Sequence, residues 1–153
     1  MKWPKSSMIV ILMLLNEFIR DAEKNQMIAA ILKDHKVRVR VVHKSIKDYA
    51  YYLLGKGVLQ ISNKKGVIRD EKDFIITVLH ETWHAVQATK MGWKKLRDAY
   101  EMEISKWQLE NPKDMRGWMR NKREVISFES DAEKYAQKNW KRWYNKFKKE
   151  DII

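Results

Sequence analysis

His80-Glu81-Thr82-Trp83-His84 is the part of this chain best equipped for chemistry. Residues four apart on a helix lie one above the other on the same face. On a helix, His80 and His84 can therefore point two imidazoles at one metal ion. Glu81 sits beside them, placed to act on a water bound to that ion. The pattern H-E-x-x-H is the sequence form of metal-assisted hydrolysis, with the metal expected to be Zn2+.

The flanking sequence supports a helix. Asp70 is a good N-cap, and Asp73 adds an acid to the first turn. Phe74, Ile75, Val78, Leu79, Thr82, Val86 and Met91 supply an apolar face and flanks. Gly92 stands where a stop is expected. The spacing predicts a helix over about 71–91 with both histidines well inside it. The bland alternative is two half-buried histidines and a solvated Glu81.

A catalytic zinc takes three protein ligands and leaves the fourth position to water. The chain has four His and no Cys. His35 and His43 lie upstream, and none follows His84. A downstream carboxylate is therefore expected, from Asp98, Glu101, Glu103, Glu110, Asp114, Glu124, Glu129, Asp131 or Glu133. From Lys122 onward the chain reads as one long helix, with Val125, Phe128, Ala132, Tyr135, Ala136, Trp140 and Trp143 along one stripe. Glu129 falls at the edge of that stripe, where an unpartnered carboxylate is costly. It is the favoured ligand, with Asp131 and Glu124 as alternatives. Glu133, one turn on, can hydrogen-bond a ligand His and fix its orientation. A boundary residue paired with Lys or Arg is the plain alternative for Glu129.

His80-Glu81-x-x-His84 followed by Glu129-Ser130-Asp131-Ala132-Glu133 resembles the gluzincins, the thermolysin-like zinc metallopeptidases. The second motif looks like the E-x-x-A-D or E-x-x-A-x-x-[FY]-A pattern of their small single-domain members, the minigluzincins, and of small phage and prokaryotic metallopeptidases. The resemblance covers about 58–136. It implies His80, His84 and Glu129 as zinc ligands, Glu81 as general base and Glu133 as the acid behind a ligand His. Glu133 stands where several such families have Asp.

A length of 153 residues bounds the chain to a single domain, 1–153, and 44% hydrophobic residues suffice for a core. Zero Cys excludes a disulfide framework and a thiolate zinc site, and suits a cytoplasmic setting, the host cytoplasm if phage-encoded. Lys2 and Lys5 precede the apolar run from Met8 to Leu15, which is too short to span a membrane. Asn16-Glu17 follows, not a small-residue cleavage site. Phe18, Ile19, Ala22, Met27, Ile28 and Ile31 continue an amphipathic pattern. One buried helix over about 7–33, capped by Ser6 or Ser7, is expected in place of a signal or anchor, and no membrane partner.

Val37 to Val42 alternates like a half-buried strand. Ile46 to Leu54 reads as a short helix. Val58–Ser62 and Gly66–Arg69 flank a glycine turn and read as a hairpin. Residues 95–109 read as a helix ended by Asn111-Pro112. Residues 111–121 form a polar loop whose Trp118 and Met119 either overhang the cleft or, more simply, tuck into the core. The fold expected is α+β: a mostly helical zincin-like domain. Its sheet of about three strands packs on an active-site helix, and a later helix carries the ligand Glu. By analogy with gluzincins, one sheet edge would pair with a peptide.

The formal charge is +12. Seven basic residues and no acid lie from Lys134 to Lys149, with Trp140, Trp143, Tyr144 and Phe147 among them. Basic side chains with aromatics can bind nucleic acid. The aromatics keep helical spacing, so one packing face with a solvated basic face is favoured over a nucleic-acid site. The expected function is hydrolysis of a peptide or protein substrate, with Tyr135 or Trp118 as weak candidates to steady the oxyanion. Two rivals remain. One is a non-catalytic zinc-stabilised accessory or binding protein of phage type. The other is a nucleic-acid-binding domain with a fortuitous H-E-x-x-H.

Overall fold

The computed structural model describes residues 21–153. Of the helix expected over about 7–33, the described part is helical, α1 (Asp21–His35). Its proposed cap at Ser6 or Ser7 and the run Met8–Leu15 lie outside the described residues. There follow β1 (Arg40–Lys44), β2 (Ala50–Leu53), β3 (Val58–Ser62), α2 (Glu71–Met91), α3 (Trp93–Glu110), a 3-10 turn (Gly117–Met119), α4 (Lys122–Val125) and α5 (Ser127–Lys149). The class is α+β, with one three-stranded sheet in the order β1-β3-β2. No helix among the described residues is long and apolar enough to cross a membrane.

The sequence chemistry of α2 is realised in its ends. The Asp70 side chain accepts from the Asp73 N–H at 2.7 Å, satisfying one of the free donors of the first turn. Gly92 closes the helix at φ 85°, its N–H donating to the Ala88 carbonyl at 2.8 Å. Between these caps α2 buries Phe74, Ile75, Val78 and Leu79 against Met27, Ile28 and Ile31 of α1, Leu59 and Ile61 of β3, and Trp143 and Phe147 of α5. Each such side chain contributes about 1.5–3 kcal/mol by leaving water, so this core fixes how α2 and α5 lie against each other.

Three expectations about local structure are corrected. Residues 46–54 form a loop and the strand β2 in place of a helix. β2 pairs antiparallel with β3, Ala50 opposite Ile61 and Leu53 opposite Val58. Gly55 and Gly57, at φ 83° and 60°, turn that hairpin. A Cβ on Gly55 would stand 3.1 Å from the Trp93 ring, so both the backbone angle and the close approach favour glycine. Gly66–Arg69 forms no strand. The second edge of β3 is taken by β1 in parallel, Arg40 opposite Val58 and Lys44 opposite Ser62. Strand β1 itself begins at Arg40, later than the alternation suggests, because Lys36 and Val37 still bond back to the end of α1.

The third correction concerns the long helix expected from Lys122. Ile126 is extended, at φ −108° and ψ 113°, and separates α4 from α5. Its side chain is buried. Glu103 of α3 then caps the new helix start, accepting from the Ser127 N–H at 3.0 Å and the Ser127 hydroxyl at 2.8 Å. Glu129 consequently stands in the first turn of α5.

Candidate metal centre

The packing of α2 on α5 brings His80 and His84 against Glu129. The two Nε2 atoms are 3.1 Å apart. Glu129 reaches both: Oε2 is 3.2 Å from His80 Nε2, and Oε1 is 3.1 Å from His84 Nε2. Together the three residues form a group that can hold a metal ion. Two nitrogen ligands at about 2.05 Å from a tetrahedral zinc would stand about 3.3 Å apart, close to the separations found here.

The hydrogen bonds behind the histidines determine which ring nitrogen is free. Gln87 Nε2 donates to the Phe128 carbonyl at 3.1 Å, which can only accept. The Gln87 amide is thereby oriented, and its Oε1 faces His84 Nδ1 at 2.9 Å. His84 Nδ1 therefore donates to Gln87, and Nε2 is the ring nitrogen turned toward Glu129. His80 Nδ1 donates to Glu133 Oε1 at 3.2 Å. Arg123 of α4 reaches the same Glu133 oxygen at 3.2 Å. A bare nitrogen and a carboxylate oxygen in contact repel unless a proton or a metal ion lies between them.

The electrostatics express that need. Burial disfavours a charged His80, but the carboxylates of Glu129 and Glu133 outweigh it and raise the imidazole to about 9. Burial likewise opposes ionisation of Glu129, yet contact with His80 and His84 holds its carboxyl well below the usual range. Glu133 is drawn down to about 2, first by its hydrogen bond with His80. Glu81 behaves differently. Burial pushes its carboxyl up, against the pull of the two histidines. It stands outside the triangle of donor atoms, 3.8 Å from His80 Nε2.

The group opens into a cleft in two halves, of about 290 and 420 Å³, which meet at His80, Glu81, Asp48, Ala50 and Arg123. Strand β2 forms one wall. The Ser62 N–H donates to the Tyr49 carbonyl at 2.9 Å, and antiparallel alternation then turns Tyr51 and Leu53 toward β3 as well. The backbone groups of Ala50 and Tyr52 face the cleft, and Tyr52 bonds Glu81 through its backbone.

The other sequence candidates stand apart from this group. Asp131 and Glu124 are exposed. Tyr135 is turned away from the cleft: its hydroxyl meets His35 Nε2 and its ring stacks on Trp83 at 4.0 Å. Trp118 does not line the cleft, whose far wall is Lys122, Arg123 and Tyr100. Gln87, Tyr100 and Arg123 were not indicated by the motif. Gln87 had a signal, since it falls one turn after His84 on the same face. Tyr100 had none. It reaches His84 Nδ1 at 3.1 Å across the turn at Gly92.

Gln87→Leu removes the acceptor that sets the His84 tautomer. Metal affinity should fall by about 10–100-fold, as for other outer partners of a ligand His. A chelator-competition titration measures this, and an unchanged affinity would refute the orienting role.

Comparison with known protein families, characterised proteins and solved structures yields no match to the chain.

Proposed function

We propose that this protein is a zinc-dependent metallopeptidase of gluzincin type. The observation that carries the reading is the convergence of two unprotonated-capable Nε2 atoms and one carboxylate, with Glu81 beside them and not among them. A metal held by three ligands keeps one position for water, and zinc, when bound, brings that water near a pKa of about 7 and polarises a carbonyl.

The chain's own residues do the rest. Glu81 takes the proton from the attacking water and returns it to the leaving amine. Its burial raises its basicity, which suits that exchange. The outer edge of β2 at Ala50 offers a backbone donor and acceptor to an extended peptide, beside the Tyr52 backbone that holds Glu81. His80 and His84 are held in the right tautomer by Glu133 and Gln87. Tyr100 lines the cleft beside Glu129, and burial first, then the neighbouring acids, keep its hydroxyl protonated. It can donate to the oxygen that gains charge as water attacks. Tyr100→Phe should lower kcat by about 10²-fold at unchanged zinc content, whereas equal turnover would remove Tyr100 from the chemistry.

Metal content tests the reading directly. Mass spectrometry should find about one zinc per chain, lost in His84→Ala and in Glu129→Ala. Zinc retained in the Glu129 variant would displace the third ligand. No zinc in the unaltered chain, and none taken up on titration, would end the metallopeptidase reading.

A further inference from the structure

The outer face of α5 is cationic well beyond what the fold requires. From Lys134 to Lys149 it holds seven basic residues and no acid. The helix dipole favours cations only in the last turn, and so accounts for Lys146, Lys148 and Lys149. It does not account for Lys134, Lys138, Lys141 and Arg142, all exposed along the preceding two-thirds of the helix. Lys134 and Lys138, Lys138 and Arg142, and Arg142 and Lys146 are each four apart, a spacing at which like charges repel. A merely solvated face would mix signs and gain from i,i+4 pairs. Among the described residues, acidic partners are found only near the end, Glu150 at 2.6 Å from Lys146 and Glu71 at 3.8 Å from Lys148.

We infer that the exposed face of α5 is a docking surface for the phosphate backbone of duplex nucleic acid. The cations extend over about 22 Å of helix, against one phosphate charge per about 1.7 Å of duplex. The aromatics of α5 argue against single strands. Trp143 and Phe147 are buried, and Trp140 and Tyr144 pack against the core, so no ring is free to stack on a base. They argue equally against a lipid surface. None of the large exposed hydrophobic residues lies on α5, so the helix has no apolar face to insert. The surface lies along the helix beyond Glu133, and the inference stands whether or not the peptidase reading does.

The test is fluorescence anisotropy with the full chain and a labelled duplex of arbitrary sequence, from about 50 to about 200 mM salt. Binding should weaken with a log–log slope of about −4, the signature of several phosphate contacts. Lys138→Glu/Lys141→Glu/Arg142→Glu should weaken binding at least about tenfold and make the slope shallower by about 3. The control Lys94→Glu/Lys95→Glu/Lys106→Glu makes the same charge change on the exposed side of α3. It should lose much less. No binding at about 50 mM salt, equal losses in the two triple variants, or tighter binding to single strands or to phosphatidylserine vesicles than to duplex would each overturn the assignment.

Discussion

Glu81→Gln should bind zinc as the unaltered chain does and hydrolyse peptide at least about 10³-fold more slowly. Proton transfer by a positioned base contributes about 10²–10⁴-fold. The change keeps side-chain size and removes the group that can take a proton. Glu81 stands outside the donor triangle, so its loss should leave the ligands intact. The histidines keep their outer partners, Glu133 at 3.2 Å and Gln87 at 2.9 Å. Zinc content and turnover measured on one preparation separate the two roles. Retained turnover would sink the base assignment, and lost zinc would show that Glu81 contributes to binding.

Chelation should lower the melting temperature, and the drop should widen as pH rises. A ligand present at about 100–1,000 times its Kd stabilises the fold by about 2.7–4.1 kcal/mol, or roughly 5–15 °C for a chain of this size. The pH dependence follows from His80. Without metal, its imidazole is raised to about 9 by Glu129 and Glu133 against the cost of burial. Its unfolded value is about 6.5. A raised folded pKa adds stability that is whole below the unfolded value and is lost as pH rises through the folded one. The metal-free chain should therefore weaken from about pH 6.5 to about pH 9. Glu129 and Glu133, both depressed, add stability that disappears on the acid side, as pH falls below the ordinary carboxylate range. Metal and proton compete for His80, so zinc binds more tightly in the same alkaline window where the metal-free chain weakens. Melting curves with and without chelator across that range test both statements. A metal-free melting point that is flat or rises toward pH 9 would contradict the role given to His80.

How much of this could be read from residues alone depends on the range of the interaction. Helix α2 was legible to its ends, because Asp70, Asp73 and Gly92 act within one turn of themselves. The α+β class, strand β3 and the packing stripe of α5 were legible for the same reason. His80 and Glu129 were placed together by phasing and by resemblance, since each lies at a predictable position on a helix face. What failed was decided by distant partners. Residues 50–53 have the spacing of a short helix and become a strand because β3 offers them an edge. Gly66–Arg69 has hairpin chemistry, but β1 and β2 already take both edges of β3. The break at Ile126 depends on Glu103, 24 residues before Ser127, for its cap. Tyr100 and Arg123 arrive at the cleft by the same long-range assembly, which no local pattern encodes.

Helix α3 has the weakest hold of the longer helices and the most to deliver. Leu96 is its sole buried residue. Yet it supplies Tyr100 to the side of His84 and Glu103 to the start of α5. The donor triangle rests on different ground, the tightly packed seam between α2 and α5. Elements with few buried contacts open at a lower free-energy cost than the core does. The protein is thus built in two tiers of durability: a firm seat for the metal, and a lighter wall that completes the cleft around it. Partial opening of α3 would leave the seat standing and the cleft roofless, so the capacity to hold an ion outlasts the capacity to use it.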